Sequence, residues 1–239
     1  MLMRTKEEAP TVVVPMPDGE PHPVTIRNYV GESGQVGDGG PQGGLFTIVP
    51  DLESRAHFHP SAQFQVFFGE GGATFGPHEM GPLYVHYADK ETPYGPFKSG
   101  AVPLEFFTLR ARGSVGAFYM PESRDKMVRK PGRNLSKSVS LDAALPAEAS
   151  CTALIGPEPD KVAAFHLRVP AGTDIVGPSP KGTGGHYYMV VRGDMQCEGK
   201  SLPFQSCMWV GPQEAAPQLV AGAQGLDAIV VQYANSDNP

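Results

Sequence analysis

A repeated order of short apolar runs, broken by glycine and proline, constrains this chain's fold more than any other feature. In the first half, QFQVFFGEGGATFG leads to GPLYVHYADKETPYGP and then to LEFFTLRAR. In the second half, HYYMVVRGDMQCEGK leads to QSCMWVGPQEAAP and then to LDAIVVQYA. Each series reads as a strand, a glycine turn, a short strand, a strand ending in a proline-containing loop, and a closing strand. The 239 residues include 29 glycines and 25 prolines, yet 40% are hydrophobic, which is enough for a packed core. Strands and helices do not alternate, so a parallel sheet is not expected. The pattern points to an all-β protein with two similar antiparallel barrels.

Strands are predicted at Val24–Val30, Leu45–Val49, Arg55–His59, Phe64–Phe68, Leu83–Tyr87 and Leu104–Arg110, and again at Val162–Val169, His186–Val191, Met195–Glu198, Ser206–Val210 and Ala228–Tyr233. Residues 113–150 change character and read as a connector with a short helix at Ser140–Ala149, leaving domains at 1–112 and 151–239. Gly31–Gly44 reads as a glycine-rich loop. An apolar interior is expected around Phe64, Val66, Phe68, Phe75, Leu83, Phe106 and Leu109, part of which must face the other way because strand side chains alternate.

Charge and cysteine content exclude several classes. The net charge is −6, so no basic surface is expected and nucleic acid is not an expected partner. The one basic stretch, Arg124 to Lys137, reads as a solvated connector. Three cysteines without a CxxC spacing read as thiols in a reducing compartment. No apolar leader and no span of ~20 apolar residues is visible. The expectation is a cytoplasmic protein that does not enter a membrane.

The chemistry-bearing stretch is AHFHPSAQFQVFFGEGG. On a strand, residues i and i+2 share a face, so His57 and His59 are expected side by side with Gln63 near them. With the Gly81–Phe97 segment, this resembles the cupin superfamily, and the repeat resembles a two-domain bicupin. The resemblance rests on His57-x-His59, Gln63, Gly69 or Gly71, and the "TPYGP" loop. It implies two jelly-roll (double-stranded β-helix) barrels, commonly assembled as dimers, so a homodimer is expected. It also implies a metal site, with His57 and His59 as ligands, Gln63 where the family has Glu, and either His86 or Tyr94 in the third-histidine place. In the second half only His186 is left of such a set, and that barrel is read as metal-free.

Two chemistries follow. With a divalent metal, iron first and Mn, Ni, Cu or Zn as alternatives, the family implies a dioxygenase-type reaction on a small organic molecule. Gln63 in place of Glu removes a negative charge and weakens the hold on a hard cation. Without a metal, Tyr94 or Tyr84 facing His57 or His59 gives an acid–base pair for an isomerase, or the cavity simply binds a small molecule. The sequence does not choose the substrate.

Overall fold

A computed structural model describes residues 1–15, 23–33, 39–114, 116–127, 132–141 and 144–235. Part of the Gly31–Gly44 loop and part of the Arg124–Lys137 stretch lie outside the described residues. The chain forms two compact units. One is Pro10–Asp142, and the other joins Met1–Ala9 to Ala143–Pro239. Among the described residues, no helix is long and apolar enough to cross a membrane.

Each unit is built on one large antiparallel sheet, and the repeat seen in the sequence returns as a repeat in strand order. In the first unit, Gln63–Phe68 lies between Leu83–Ala88 and Leu104–Arg110, and the order continues through Gln42–Ile48 to Val24–Val30. In the second unit, His186–Cys197 lies between Cys207–Val210 and Gln218–Gln232, and the order continues through Ala163–Val169 to Ser150–Ile155. The outer partners differ. Asn134–Val139 pairs with Leu83–Ala88, whereas Leu2–Arg4 from the start of the chain pairs with Cys207–Val210. Both sheets are open paths with two edges, so the closed barrels expected from sequence appear as large sheets of the jelly-roll kind. Two small sheets accompany the first: Phe97–Lys98, Thr74–Phe75 and His78–Glu79 form one, and Phe118–Tyr119 with His57–Phe58 forms the other.

The segment read as a connector differs from expectation. Asn134–Val139 is a sheet strand, and no helix occurs among the described residues of 140–149. The backbone there is held by tertiary contact instead: the Arg168 guanidinium donates to the Ala144 carbonyl at 2.9 Å, and Leu145 packs against Gly225. A carbonyl held from outside has no need of a helical partner.

The inner face of the first sheet is ordered in rows, because residues opposite one another across antiparallel strands share a face. One row runs Ile26, Phe46, Phe106, Phe67, Tyr84. The next runs Asn28, Gly44, Thr108, Gln65, His86. The third holds Gln42 opposite Arg110, and Gln63 opposite Ala88. The face thus changes from aromatic to polar to cationic along the strands. Phe64, Val66, Leu83 and Leu109, expected in the interior, lie on the opposite face, where they are also buried. Phe106 and Phe75 do join the inner core, with Phe67, Phe97 and Tyr94. Phe67 and Phe106 stack at 4.8 Å between centroids. Phe67→Ala is therefore expected to cost ~3–5 kcal/mol, measured as a lowered urea midpoint. A loss below ~1 kcal/mol would mean that the aromatic row does not hold this sheet.

Candidate functional site

The inner face of the first sheet opens onto a cavity of about 300 Å³. Ile26, Phe46, Phe97 and Phe106 line its apolar part, while His57, His59, Tyr94, Thr108 and Arg110 line its polar part. No aspartate or glutamate lines it among the described residues.

The residues singled out from sequence gather around one phenol. His57 and Tyr94 exchange backbone hydrogen bonds at 3.1 and 3.0 Å, and their rings lie 4.5 Å apart. His59 packs edge-on to His57 at 5.2 Å between centroids. His86 lies 4.9 Å from the Tyr94 ring. The Gln63 amide donates to the Tyr94 hydroxyl. Only His57–Phe58 is strand, so His59 sits just past a strand end rather than within the predicted one. Tyr84 belongs to the aromatic row beside Phe75 and Phe67, and Tyr94 is the tyrosine against His57.

Arg110 was not singled out by sequence reasoning, and it occupies the centre of the polar end. It is 5% exposed. Its Nη2 donates to Gln63 Oε1 at 2.7 Å and lies 3.2 Å from His59 Nδ1. The guanidinium thus stands against Gln63.

Electrostatics follow from burial and this cation. Burial lowers the His57 pKa to about 4, assisted by Arg110 and opposed by its bond to the Arg55 carbonyl. Burial, Arg110 and His57 hold His59 well below the usual imidazole range. Burial also lowers His86 to about 4, opposed by its bond to Asn134, and raises the Tyr94 phenol far above its ordinary value. All three imidazoles are neutral near pH 7.

The donor set can be tested against the expected metal. His57 Nδ1 is 2.8 Å from the Arg55 carbonyl and His59 Nδ1 is 2.6 Å from the Gly116 carbonyl. Each neutral ring donates from Nδ1 and keeps an Nε2 lone pair, as a metal-ligating histidine does. The set stops at two. Both His86 ring nitrogens are engaged, by Gln65 and by Asn134. Gln63 Oε1 accepts from Arg110. The Tyr94 hydroxyl accepts from the Gln63 amide. Among the described residues, no group of three or more His, Cys, Asp or Glu side chains could hold a metal ion. Two neutral nitrogens beside a guanidinium do not fit a resident divalent cation, which needs several converging donors and gains from negative ones. Of the expected ligand set, His57 and His59 keep a donor atom for a metal, whereas Gln63 and His86 have theirs engaged by protein partners.

No protein-family model matches this sequence, and no curated protein matches it. Solved structures do match in fold. A putative dioxygenase from Nostoc punctiforme superposes with a TM-score of 0.66 at 13% identity, covering 99% of this chain and 84% of that one. The bacterial pirin YhhW from Escherichia coli, in complex with nickel(II), gives 0.57 at 11% identity over 97% of this chain and 98% of that one. A mutant of salicylate 1,2-dioxygenase from Pseudoaminobacter salicylatoxidans gives 0.51 at 10% identity over 81% and 71%. At such identities the likeness concerns the backbone alone, and it shows that this chain has a cupin-like fold.

Proposed function

We propose that the chain is a two-domain cupin whose first unit binds a small organic molecule without a resident metal ion. The observation that carries this reading is Arg110 bonded to Gln63, which puts a cation where a metal's carboxylate ligand would be needed. The graded lining supports it further, since small-molecule sites combine apolar walls with a few placed polar groups.

Binding is favoured over isomerase chemistry by the state of the candidate acid and base. Efficient proton transfer wants groups whose pKa lies near the working pH. His57 at about 4 is a weak base, and the elevated Tyr94 is a weak acid. A metal-dependent oxygenase is the second reading, favoured by the two available Nε2 atoms of His57 and His59.

Calorimetric titration of chelator-stripped protein with one-ring organic compounds tests the proposal. At least one compound is expected to bind at a single site, and Thr108→Phe, which fills the cavity, is expected to abolish that binding while the protein stays folded. Binding that requires added metal, or that survives Thr108→Phe, would remove the reading.

A further inference from the structure

The polar row at the cavity continues beyond it to the edge of the sheet. Gln65 and Tyr94 line the cavity. The fully buried His86 stands opposite Gln65 on the next strand. Asn134 lies on the outermost strand, two residues along from the Ser136 that faces His86, which is the diagonal position across a strand pair. His86 Nδ1 is 3.1 Å from Gln65 Oε1, and His86 Nε2 meets Asn134 Oδ1. Asn134 Nδ2 donates to the Pro93 carbonyl at 3.1 Å. At the other end of the row, the Gln63 amide donates to the Tyr94 hydroxyl, which is also bonded to Gln65.

These bonds fix where each hydrogen lies. The donation to Pro93 sets the Asn134 amide, so its oxygen faces His86 and Nε2 carries the ring hydrogen. Near pH ~8, above the ordinary imidazole value of about 6.5, the ring has one hydrogen, and Nδ1 then only accepts. A carbonyl oxygen against Nδ1 would set two acceptors face to face inside the sheet, which is costly. The two ends of an amide have the same shape. The Gln65 amide therefore turns over, giving Nε2 to His86 and Oε1 to Tyr94. The Tyr94 end requires the same arrangement. Its oxygen already accepts from Gln63, and its own hydrogen needs an acceptor, which the turned Gln65 carbonyl supplies. The bonds then run head to tail from Gln63 through Tyr94, Gln65, His86 and Asn134 to Pro93.

We infer that Asn134 is a positioning residue that decides, through His86, which atom Gln65 shows to the cavity, and that the ligand accordingly carries a neutral hydrogen-bond donor, a hydroxyl or an N–H, beside an apolar ring. This rests on the metal-free reading of the same cavity and names the chemistry it selects. A carbonyl oxygen accepts two hydrogens. Gln65 Oε1 receives one from Tyr94 and keeps a lone pair for the cavity that Gln65 lines. A ligand hydroxyl meets an acceptor there, whereas a ligand with acceptors alone meets like polarity. The ring lies against Phe46, Phe97 and Phe106. At about 300 Å³ the cavity is at the small end of the ~300–1,000 Å³ range of ligand pockets, which sets the ligand at about the size of one ring with a short arm.

The test takes two readouts from the chelator-stripped full chain near pH ~8. Nitrogen NMR of the imidazole rings, with His86 assigned by comparison with His86→Gln, is expected to show the His86 hydrogen on Nε2. Calorimetric titration compares phenol with fluorobenzene, and benzyl alcohol with benzaldehyde. Each pair has nearly the same shape, and only its first member donates. Each donor is expected to bind at least about fivefold tighter than its partner. Asn134→Leu removes the acceptor from Nε2. The hydrogen is then expected on Nδ1, with Gln65 turned back and the preference reduced to within about twofold. A merely structural role for Asn134 would leave the tautomer and the preference in place. Should Asn134→Leu fail to fold, the wild-type tautomer and preference still decide. A wild-type hydrogen on Nδ1, equal binding within either pair, or a tautomer or preference that survives Asn134→Leu would overturn the inference and leave the metal-free cavity standing. Failure of all four compounds to bind would overturn both.

Discussion

Acidification from about pH 7 to about pH 5 is expected to destabilise both units well before their carboxylates titrate. His57 and His86 in the first unit, and His186 in the second, have pKa values lowered from 6.5 to about 4, in each case chiefly by burial. In the unfolded chain each returns to about 6.5. Between the two values the unfolded state holds a proton that the folded state excludes, so stability rises with pH across that window and is fully present above it. Each such imidazole accounts for roughly 2 kcal/mol lost between pH 7 and pH 5. With two in the first unit, that loss is a large part of the ~5–15 kcal/mol typical of a domain. Denaturant midpoints measured at half-unit pH steps should fall steadily below about pH 6.5. A flat profile to pH 5 would mean that these rings are solvated in the folded protein.

The second large effect is expected at Asp227, whose residue is 0% exposed. Arg168 Nε and His166 Nε2 each lie 2.9 Å from its Oδ1, and Arg192 pairs with Oδ2. Cross-strand register explains the cluster: Arg168 and Arg192 both stand opposite Asp227 on flanking strands. Burial alone would raise the Asp227 pKa, but the bonds from His166 and Arg168 and the nearby charges hold it below the ordinary carboxylate value. This contribution is present above the unfolded pKa and is lost only as pH falls through the folded one, below the histidine window. Asp227→Asn keeps the shape and removes the charge. Breaking a buried pair costs ~3–5 kcal/mol. Arg192, whose side chain is 35% exposed, retains water and keeps the effect near the lower end. Thermal melting of the variant should show a transition at lower temperature than wild type. A melt that superposes on wild type would mean that the cluster is solvated.

How far such features can be read from sequence depends on whether a strand has one wet face. Leu104–Arg110 and Val24–Val30 were placed correctly because proline, glycine and polar residues bound them. Which of their faces looks into the cavity was not legible. In LEFFTLR, Leu104, Phe106 and Thr108 alternate with Phe107 and Leu109, and both sets are buried. A strand buried on both sides loses the polar–apolar alternation that fixes its inward parity. That is why Arg110 passed for a strand end and why Phe64 and Val66 were expected to line the interior. The Gly193-Asp194 pair reads as a turn, yet His186–Cys197 is one strand. Gly193 has a φ of 73° and sits where the register shifts, so it makes a bulge instead of an end. The gathering of His57, His59 and Gln63 could be anticipated from spacing. The His57 ring bonds to the neighbouring Arg55 carbonyl, but the partners of His59 and Gln63 come from Gly116, Arg110 and Tyr94, remote in sequence, and those partners decide what the site can do.

The central claim is that the first unit's cavity works without a resident metal. Metal content of the purified, untagged chain is measured by mass spectrometry, as isolated and after incubation with iron, manganese, nickel, copper or zinc followed by desalting. The account predicts well below one equivalent of each per chain, with no difference between wild type and the His57→Ala/His59→Ala double variant. A near-stoichiometric metal that the double variant loses would contradict it and return the site to metal-dependent chemistry.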